Sequence, residues 1–499
     1  MSNAKLAPLT DPQKARVNNR SRKPESKEFE RFISEDWDEK KSPHDKPFPV
    51  AKYTAKRREQ LSQHFSGDRL ILPAGDLKVR SNDTDYMYRP HSAFAHYVGS
   101  GAETEPGSVL VLEPEKKGHK ATLYVYPASP YGSEESYNNS RNGAFWVGMR
   151  PSLEETQKHY LIDVKDIKDL EKQLAQKIDG SVRIVREADP AIEATLQKYR
   201  KNMSDTQQDQ ADFLLAEVCA EQRLVKDQYA IDEMKKATQA TAEGFENIVR
   251  KLPQAVKNQR GERVVETSFY DVARVQGYHT GYETIAASGN DATTLHWNKN
   301  TGDVKNGDVL LVDAGVELES LYTADVTRSM PISGKFTDVQ RKVYTAVLDA
   351  ADAGFKVAVP GNKFRDVHNA AIKVIAERLE EWGILPCTAE ESLQADKQFH
   401  RRWMIHGTSH HLGLDVHDCA EARKEMYLDA ELVPGMIFTI EPGLYFKEND
   451  LKVPEEYRGI GVRIEDDVLV TEKGNENLSA MLPRKADDVE AWMQSILKK

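Results

Sequence analysis

Apolar and polar positions follow three regimes along the chain. Residues 1–52 are polar and proline-containing with few β-branched residues, and they read as a mobile or wrapped extension. Residues 53–64 have helical character. From about residue 68, short apolar runs bounded by turns predict strands at Arg69-Leu-Ile-Leu-Pro, Ser108-Val-Leu-Val-Leu and Ala121-Thr-Leu-Tyr-Val-Tyr. A helix over 164–177 and a strand at Ser181-Val-Arg-Ile-Val follow, so 53–205 is expected to form an α/β domain. A long helical stretch over 206–250 then opens a third region, 206–499. There, strands of antiparallel style are interleaved with helices at about 337–356 and 364–382, punctuated by Pro360-Gly361 and Pro434-Gly435.

Composition narrows the function classes. At 499 residues the chain can hold two or three domains, and 39% hydrophobic with 30% charged residues describes a soluble globular protein. The net charge of −11 argues against nucleic acid, which calls for a basic stripe. No run approaches a membrane span, and the start has no apolar core of a secretory signal. Lys14, Arg16, Arg20, Arg22 and Lys23 lack the apolar helical face of a transit peptide, and Glu25, Glu28 and Glu30 follow closely. Three scattered cysteines, Cys219, Cys387 and Cys419, fit reduced thiols, so a cytoplasmic location is expected. Cys419 follows His417-Asp418, where a small buried hydrophobe is its expected role.

The chemistry concentrates in the last third. Val309-Leu-Leu-Val-Asp313-Ala-Gly and Leu321-Tyr-Thr-Ala-Asp325-Val-Thr-Arg predict two strands of a hairpin turning about Glu319. Folded there, Asp313 lies directly opposite Asp325, where cross-strand Cβ atoms are about 4.5–5.5 Å apart. Two carboxylates so close on an apolar hairpin repel unless a cation sits between them. Taken alone, either Asp is better explained as a turn or a solvated strand residue.

His406-Gly-Thr-Ser-His410-His-Leu-Gly-Leu-Asp-Val-His417-Asp418 places four histidines within twelve positions. Gly407 stands where a zinc-peptidase helix needs Glu, and the glycines and Thr408 weaken a helix. Phe438-Thr-Ile-Glu441-Pro-Gly-Leu-Tyr445 and Gly461-Val-Arg463-Ile-Glu465-Asp-Asp each put Glu inside an apolar run, where an ionised acid needs a partner or a metal. Arg463, on the same strand face as Glu465, is the alternative partner. Asp313, Asp325, Glu441 and Glu465 with His410 form an oxygen-rich set that suits Mn²⁺, with Co²⁺, Fe²⁺ or Zn²⁺ as alternatives. Four carboxylates exceed what one divalent ion balances. Two ions about 3.5–4 Å apart, bridged by carboxylates and a hydroxide, would balance them and supply a nucleophile.

The ordered motifs VDAG, TADVTR, HGTSHHLGLDVHD, TIEPGLY and GVRIEDD resemble the proline-specific branch of the pita-bread metallopeptidases, over roughly 222–480 and more weakly over 68–200. The resemblance implies an α/β (α+β) fold, with an α/β N-terminal domain followed by a pita-bread catalytic domain. It implies a two-metal aminopeptidase that removes the N-terminal residue when proline follows; prolidase, with the same metal site, is the alternative. It carries the metal ligands onto Asp313, Asp325, His410, Glu441 and Glu465, with Asp325 and Glu465 bridging and Glu441 activating the water. His296, His406 and His417 match histidines near the substrate, and Tyr445 and Arg463 match a proline pocket. Asp83, in Asp83-Thr-Asp-Tyr-Met-Tyr-Arg89, matches an acid near the substrate amine, and Trp146 falls near a tryptophan supplied across a subunit interface, although packing explains Trp146 alone. The implied partners are Xaa-Pro peptides and further copies of the chain in a homodimer or homotetramer.

Overall fold

A computed structural model of the chain describes residues 26–38, 46–82 and 84–498. The chain divides into two compact units, Met1–Val218 and Cys219–Lys499.

The first unit is built on a mixed five-stranded sheet. Strands β1 (Arg69–Pro73), β2 (Val109–Pro114), β3 (His119–Val125), β4 (Asp163–Asp166) and β5 (Val182–Ile184) lie in the order β4-β3-β2-β1-β5. β1, β2 and β3 pair antiparallel, and β4 and β5 join the two edges in parallel. All of β1 and the first four residues of β2 are buried, which explains their unbroken apolar runs. Part of the polar extension lies along this unit. Ser26 caps helix α1 (Lys27–Ser34), the Phe29 ring meets Tyr137 edge-on at 5.4 Å, and Trp37 stacks on Tyr131 at 4.5 Å. Helix α2 (Ala51–His64) forms where its pattern predicts. The expected helix over 164–177 does not form as one element. Val164 pairs with Leu123 in β4, Asp166 caps a tight turn at Ile167–Asp169, and only Leu170–Leu174 is α-helical.

The predicted helical stretch over 206–250 is two helices, α3 (Asp205–Leu224) and α4 (Gln228–Val256). The break falls at Val225-Lys226-Asp227, where Asp227 accepts from the Ala230 N–H at 3.0 Å and Val225 bridges to Met436. The second unit then repeats one plan. α4 packs on α5 (Gly261–Gln276), followed by antiparallel β6 (Ile285–Ser288), β7 (Val309–Ala314) and β8 (Val326–Pro331) in the order β8-β7-β6. Next, α6 (Asp338–Val357) packs on α7 (Phe364–Glu381), close to the predicted bounds. After them come β9 (Ile437–Ile440), β10 (Gly443–Phe446), β11 (Ile460–Arg463), β12 (Asp466–Thr471) and β13 (Gly474–Asn477). These form the antiparallel pieces β9-β12-β13 and β10-β11. One apolar core runs from Ala237 to Ile496 through both repeats. Among the described residues, no helix is long and apolar enough to cross a membrane.

Candidate active site

Asp313 is the fifth residue of β7, and the hairpin register differs from the expected one. Asp313 pairs with Thr327 rather than Asp325, and Glu317 bridges to Thr323 in the same register. The cause is the loop. Leu318 donates its N–H to the Tyr322 carbonyl at 3.0 Å, leaving the three residues Glu319-Ser320-Leu321 to turn, with Leu321 in the left-handed region at φ 69°. The shift is by two residues, so both carboxylates keep the same face and Asp325 becomes the diagonal neighbour of Asp313. The chains come so close here that a Cβ at Gly315 would collide with the Ala324 carbonyl. The Tyr282 hydroxyl stands between the two acids, 2.6 Å from Asp313 Oδ1 and in contact with Asp325 Oδ1.

The second repeat supplies the other side. Residues 408–410 run beside the end of β9, with Thr439 N–H donating to the His410 carbonyl and Glu441 N–H to the Thr408 carbonyl, each at 2.9 Å. That pairing sets His410 Nε2 at 3.5 Å from Glu441 Oε1 and 3.3 Å from Asp325 Oδ2. Glu465, between β11 and β12, donates its N–H to the Thr327 carbonyl at 3.1 Å and accepts from Thr327 Oγ1 at 2.7 Å. Ligand atoms of Asp325, His410 and Glu465 all lie within 4.8 Å of one another. Asp467 accepts from the Asp325 N–H at 3.3 Å and from Thr238 Oγ1 at 3.1 Å, fixing the main chain that presents Asp325.

Electrostatically the cluster carries too much acid. Burial raises the pKa of Asp325 and the Asp313 charge adds to it, with His410 opposing. Burial, opposed by His410 and reinforced by Asp325, lifts Glu441 to about 7. Glu465 is driven well up by burial and by Asp325, Glu441 and Asp313. His410 is raised to about 9; burial works against its charge, but Asp325 and Glu441 outweigh it. Buried acids that repel one another in this way, with one imidazole among them, fit a site for added positive charge.

The remaining sequence candidates flank this cluster. His406 Nε2 is 2.8 Å from the Tyr445 hydroxyl and its Nδ1 is 3.7 Å from Glu441 Oε2. Burial and the Arg463 charge push His406 down to about 3. Arg463 is buried and does not pair with Glu465. It reaches Asp313 Oδ2 at 2.5 Å, the Tyr445 hydroxyl at 3.0 Å and Thr327 Oγ1 at 3.1 Å. The His417 ring meets His410 edge-on at 4.3 Å. The residue is partly exposed, and desolvation with the neighbouring His410 and His296 pushes it down to about 4. His296 is exposed on the segment after Gly289–Thr293. Asp83 lies outside the described residues. Trp146 is exposed, its indole N–H donating to the Tyr137 carbonyl at 2.8 Å. Tyr282, Thr327 and Asp467 were not singled out by sequence. Of these only Asp467, an acid in an apolar run beside Glu465, left a signal.

The family model described as metallopeptidase family M24 matches residues 232–472, and the aminopeptidase P N-terminal domain matches residues 54–185. Xaa-Pro aminopeptidase 1 of Streptomyces coelicolor is 49% identical over 454 residues, covering 91% of this chain and 89% of that protein. The chain belongs to metallopeptidase family M24. Within it, the Xaa-Pro aminopeptidase of Escherichia coli is 30% identical over 89% of this chain and 98% of that protein. Among solved structures, E. coli aminopeptidase P with the inhibitor Pro-Leu superposes with a TM-score of 0.77 at 29% identity, covering 91% of this chain and all of that one. This M24 chain therefore has the aminopeptidase P architecture, an N-terminal α/β domain and a pita-bread domain, and as a metallopeptidase it works with divalent metal ions.

Proposed function

We propose that this chain is a metal-dependent aminopeptidase that releases the first residue of peptides with proline second. The observation that carries this reading is the meeting of Asp313, Asp325, His410, Glu441 and Glu465, all buried or largely so, in a chain whose relatives are named Xaa-Pro aminopeptidases. Those relatives favour it over a prolidase. The five side chains would hold two divalent ions, with Mn²⁺ the best match to four carboxylates and one imidazole. Bound there, the ions would polarise the scissile carbonyl and lower the pKa of water.

The chain's own groups account for the rest. Glu441 would take a proton from the attacking water and return it to the leaving proline nitrogen. His417 would donate N–H to the carbonyl oxygen as charge develops on it, with His296 alongside at the open face. His406, whose Nδ1 faces the Gly407 carbonyl at 2.6 Å and whose Nε2 meets the Tyr445 hydroxyl, would join them by exchanging one of those partners for the substrate. An Xaa-Pro amide has no N–H to grip, so shape must replace that contact. Tyr445 would line the proline side, with Arg463 behind it fixing its hydroxyl. Asp83 is assigned to the substrate amine by resemblance. We also assign a cytoplasmic location, in keeping with three free cysteines, and a homodimeric or homotetrameric state.

The test supplies Mn²⁺-loaded protein with an Xaa-Pro dipeptide and an Xaa-Pro-Yaa tripeptide, with Glu441→Ala as control. Release of Xaa from the tripeptide, lost in the control, supports the reading. Cleavage of the dipeptide alone would make the chain a prolidase.

A further inference from the structure

We infer that Arg223 and Lys226, acting through the buried carboxylate of Asp418, are positioning residues that hold His417 over the reaction centre. The inference rests on the role for His417 proposed above. Neither cation nor Asp418 takes part in the chemistry as described, yet their side chains are 7%, 3% and 1% exposed. Arg223 Nε donates to Asp418 Oδ1 at 3.0 Å, and Lys226 Nζ stands 3.5 Å from Oδ2. Three buried charges away from any substrate group need a reason to persist, because a well-packed apolar set is often as stable.

The reason lies in what Asp418 terminates. Its N–H donates to the His411 carbonyl at 2.9 Å, closing the loop that runs from His411 to Asp418. The first end of that loop is fixed by the His411–Phe438 bridge to β9, the strand that leads to Glu441. The second end is fixed by the Asp418 side chain, which accepts from Arg223, Lys226 and its neighbour's N–H, that of Cys419, at 3.0 Å. A Cβ at Gly413 would collide with the Asp418 carboxylate, so the loop folds tightly over it. His417 immediately precedes this anchor. Among the described residues none hydrogen-bonds its ring, so the fixed main chain of Asp418 and the packing against His410 set its place.

The cations are themselves pinned. Arg223 Nη1 donates to the Cys219 carbonyl at 3.3 Å, and the Lys226 N–H donates to the Gly435 carbonyl at 2.9 Å beside the Val225–Met436 bridge. The last turn of α3 and the break after it thus deliver two charges, Arg223 and Lys226, to the loop carrying His417. Burial opposes ionisation of Asp418, but Arg223 and Lys226 outweigh it and hold it below the usual carboxylate range.

A double-mutant cycle on the metal-loaded full chain tests this. Lys226→Met should lower kcat on an Xaa-Pro-Yaa tripeptide about 10- to 100-fold, as small misplacements of reacting groups do, with KM and bound metal per chain unchanged. Lys226→Arg should restore most of it. In a His417→Ala background, Lys226→Met should cost nothing further, because the group it positions is gone. Losses that multiply in the double variant, or a kcat untouched by Lys226→Met, would overturn the inference and leave the role of His417 standing. A His417→Ala enzyme with undiminished kcat would remove that role and the inference together. Should Lys226→Met fail to fold, Arg223→Lys carries the same cycle.

Discussion

Asp418 and Asp325 are both buried carboxylates of the second unit, 1% and 5% exposed, yet Asp418 has two of the chain's cations to itself while Asp325 shares one imidazole with other acids. Asp418 receives Arg223 and Lys226. Asp466, fully buried, receives Arg328 at 2.7 Å and Arg484 at 2.8 Å. Around Asp325 the ratio reverses. Asp325, Glu441 and Glu465 share His410, while the Arg463 guanidinium pairs with Asp313 and that of Arg328 with Asp466. A chain that supplies two cations to a structural acid and withholds them from a cluster of acids has left that cluster for cations from outside. Site and scaffold differ here in charge balance more than in burial, with Glu441 and His410 each 15% exposed.

The contrast can be broken at its strongest point first. Glu441→Ala should reduce release of Xaa from an Xaa-Pro-Yaa peptide about 10²–10⁴-fold, the range for a lost proton-transfer group. The same change removes a repelling acid, so the metal-free protein should melt no lower than wild type in calorimetry. Asp418→Ala should do the opposite to stability. It strands two buried cations and should cost about 3–5 kcal/mol in urea denaturation of the metal-free protein. An unchanged midpoint would mean that the cations are satisfied without Asp418.

Tyr282→Phe sharpens the comparison within the site. Loss of the hydroxyl between Asp313 and Asp325 should weaken metal affinity about 10- to 100-fold in chelator competition, as removal of a group orienting the ligands does. The smallest effect is on pH dependence. Glu441 and His410 both have pKa values raised by folding, to about 7 and about 9. Their protonated forms therefore contribute stability that is present at low pH and lost as pH rises through those values. His406 and His417 act in the opposite sense, being lowered to about 3 and 4, but their effect is complete above the ordinary histidine range. The melting temperature of chelated protein should fall between pH 7 and 9, and Mn²⁺ should flatten or reverse that slope because deprotonated ligands bind it better. A metal-free protein that grows more stable over this window would count against the acid excess.

Much of this candidate site was legible in the sequence. Asp313, Asp325, His410, Glu441 and Glu465 each interrupt an apolar run or sit in a histidine-dense one, and charge in an apolar run must be explained. The helices over 337–356 and 364–382 were legible from their apolar period. The hairpin register was not, because it depends on Leu321 adopting a left-handed conformation that its side chain disfavours. The even shift kept the acids on one face, so the inference of proximity survived a wrong register. Tyr282 and Thr327 were invisible because a tyrosine in a loop and a threonine in a strand are ordinary. The break at Val225-Lys226-Asp227 was masked by helical pattern on both sides, and the ion pair of Arg463 with Asp313 joins residues 150 positions apart.

The central claim is that the acid excess around Asp325 holds divalent ions, and counting them tests it most directly. Chelated protein should be titrated with Mn²⁺ and the bound metal measured per chain, beside Glu465→Gln and Asp418→Asn. Two ions per chain in the wild type, fewer in Glu465→Gln and two again in Asp418→Asn is the predicted result. No bound metal, or equal binding by wild type and Glu465→Gln, would contradict it.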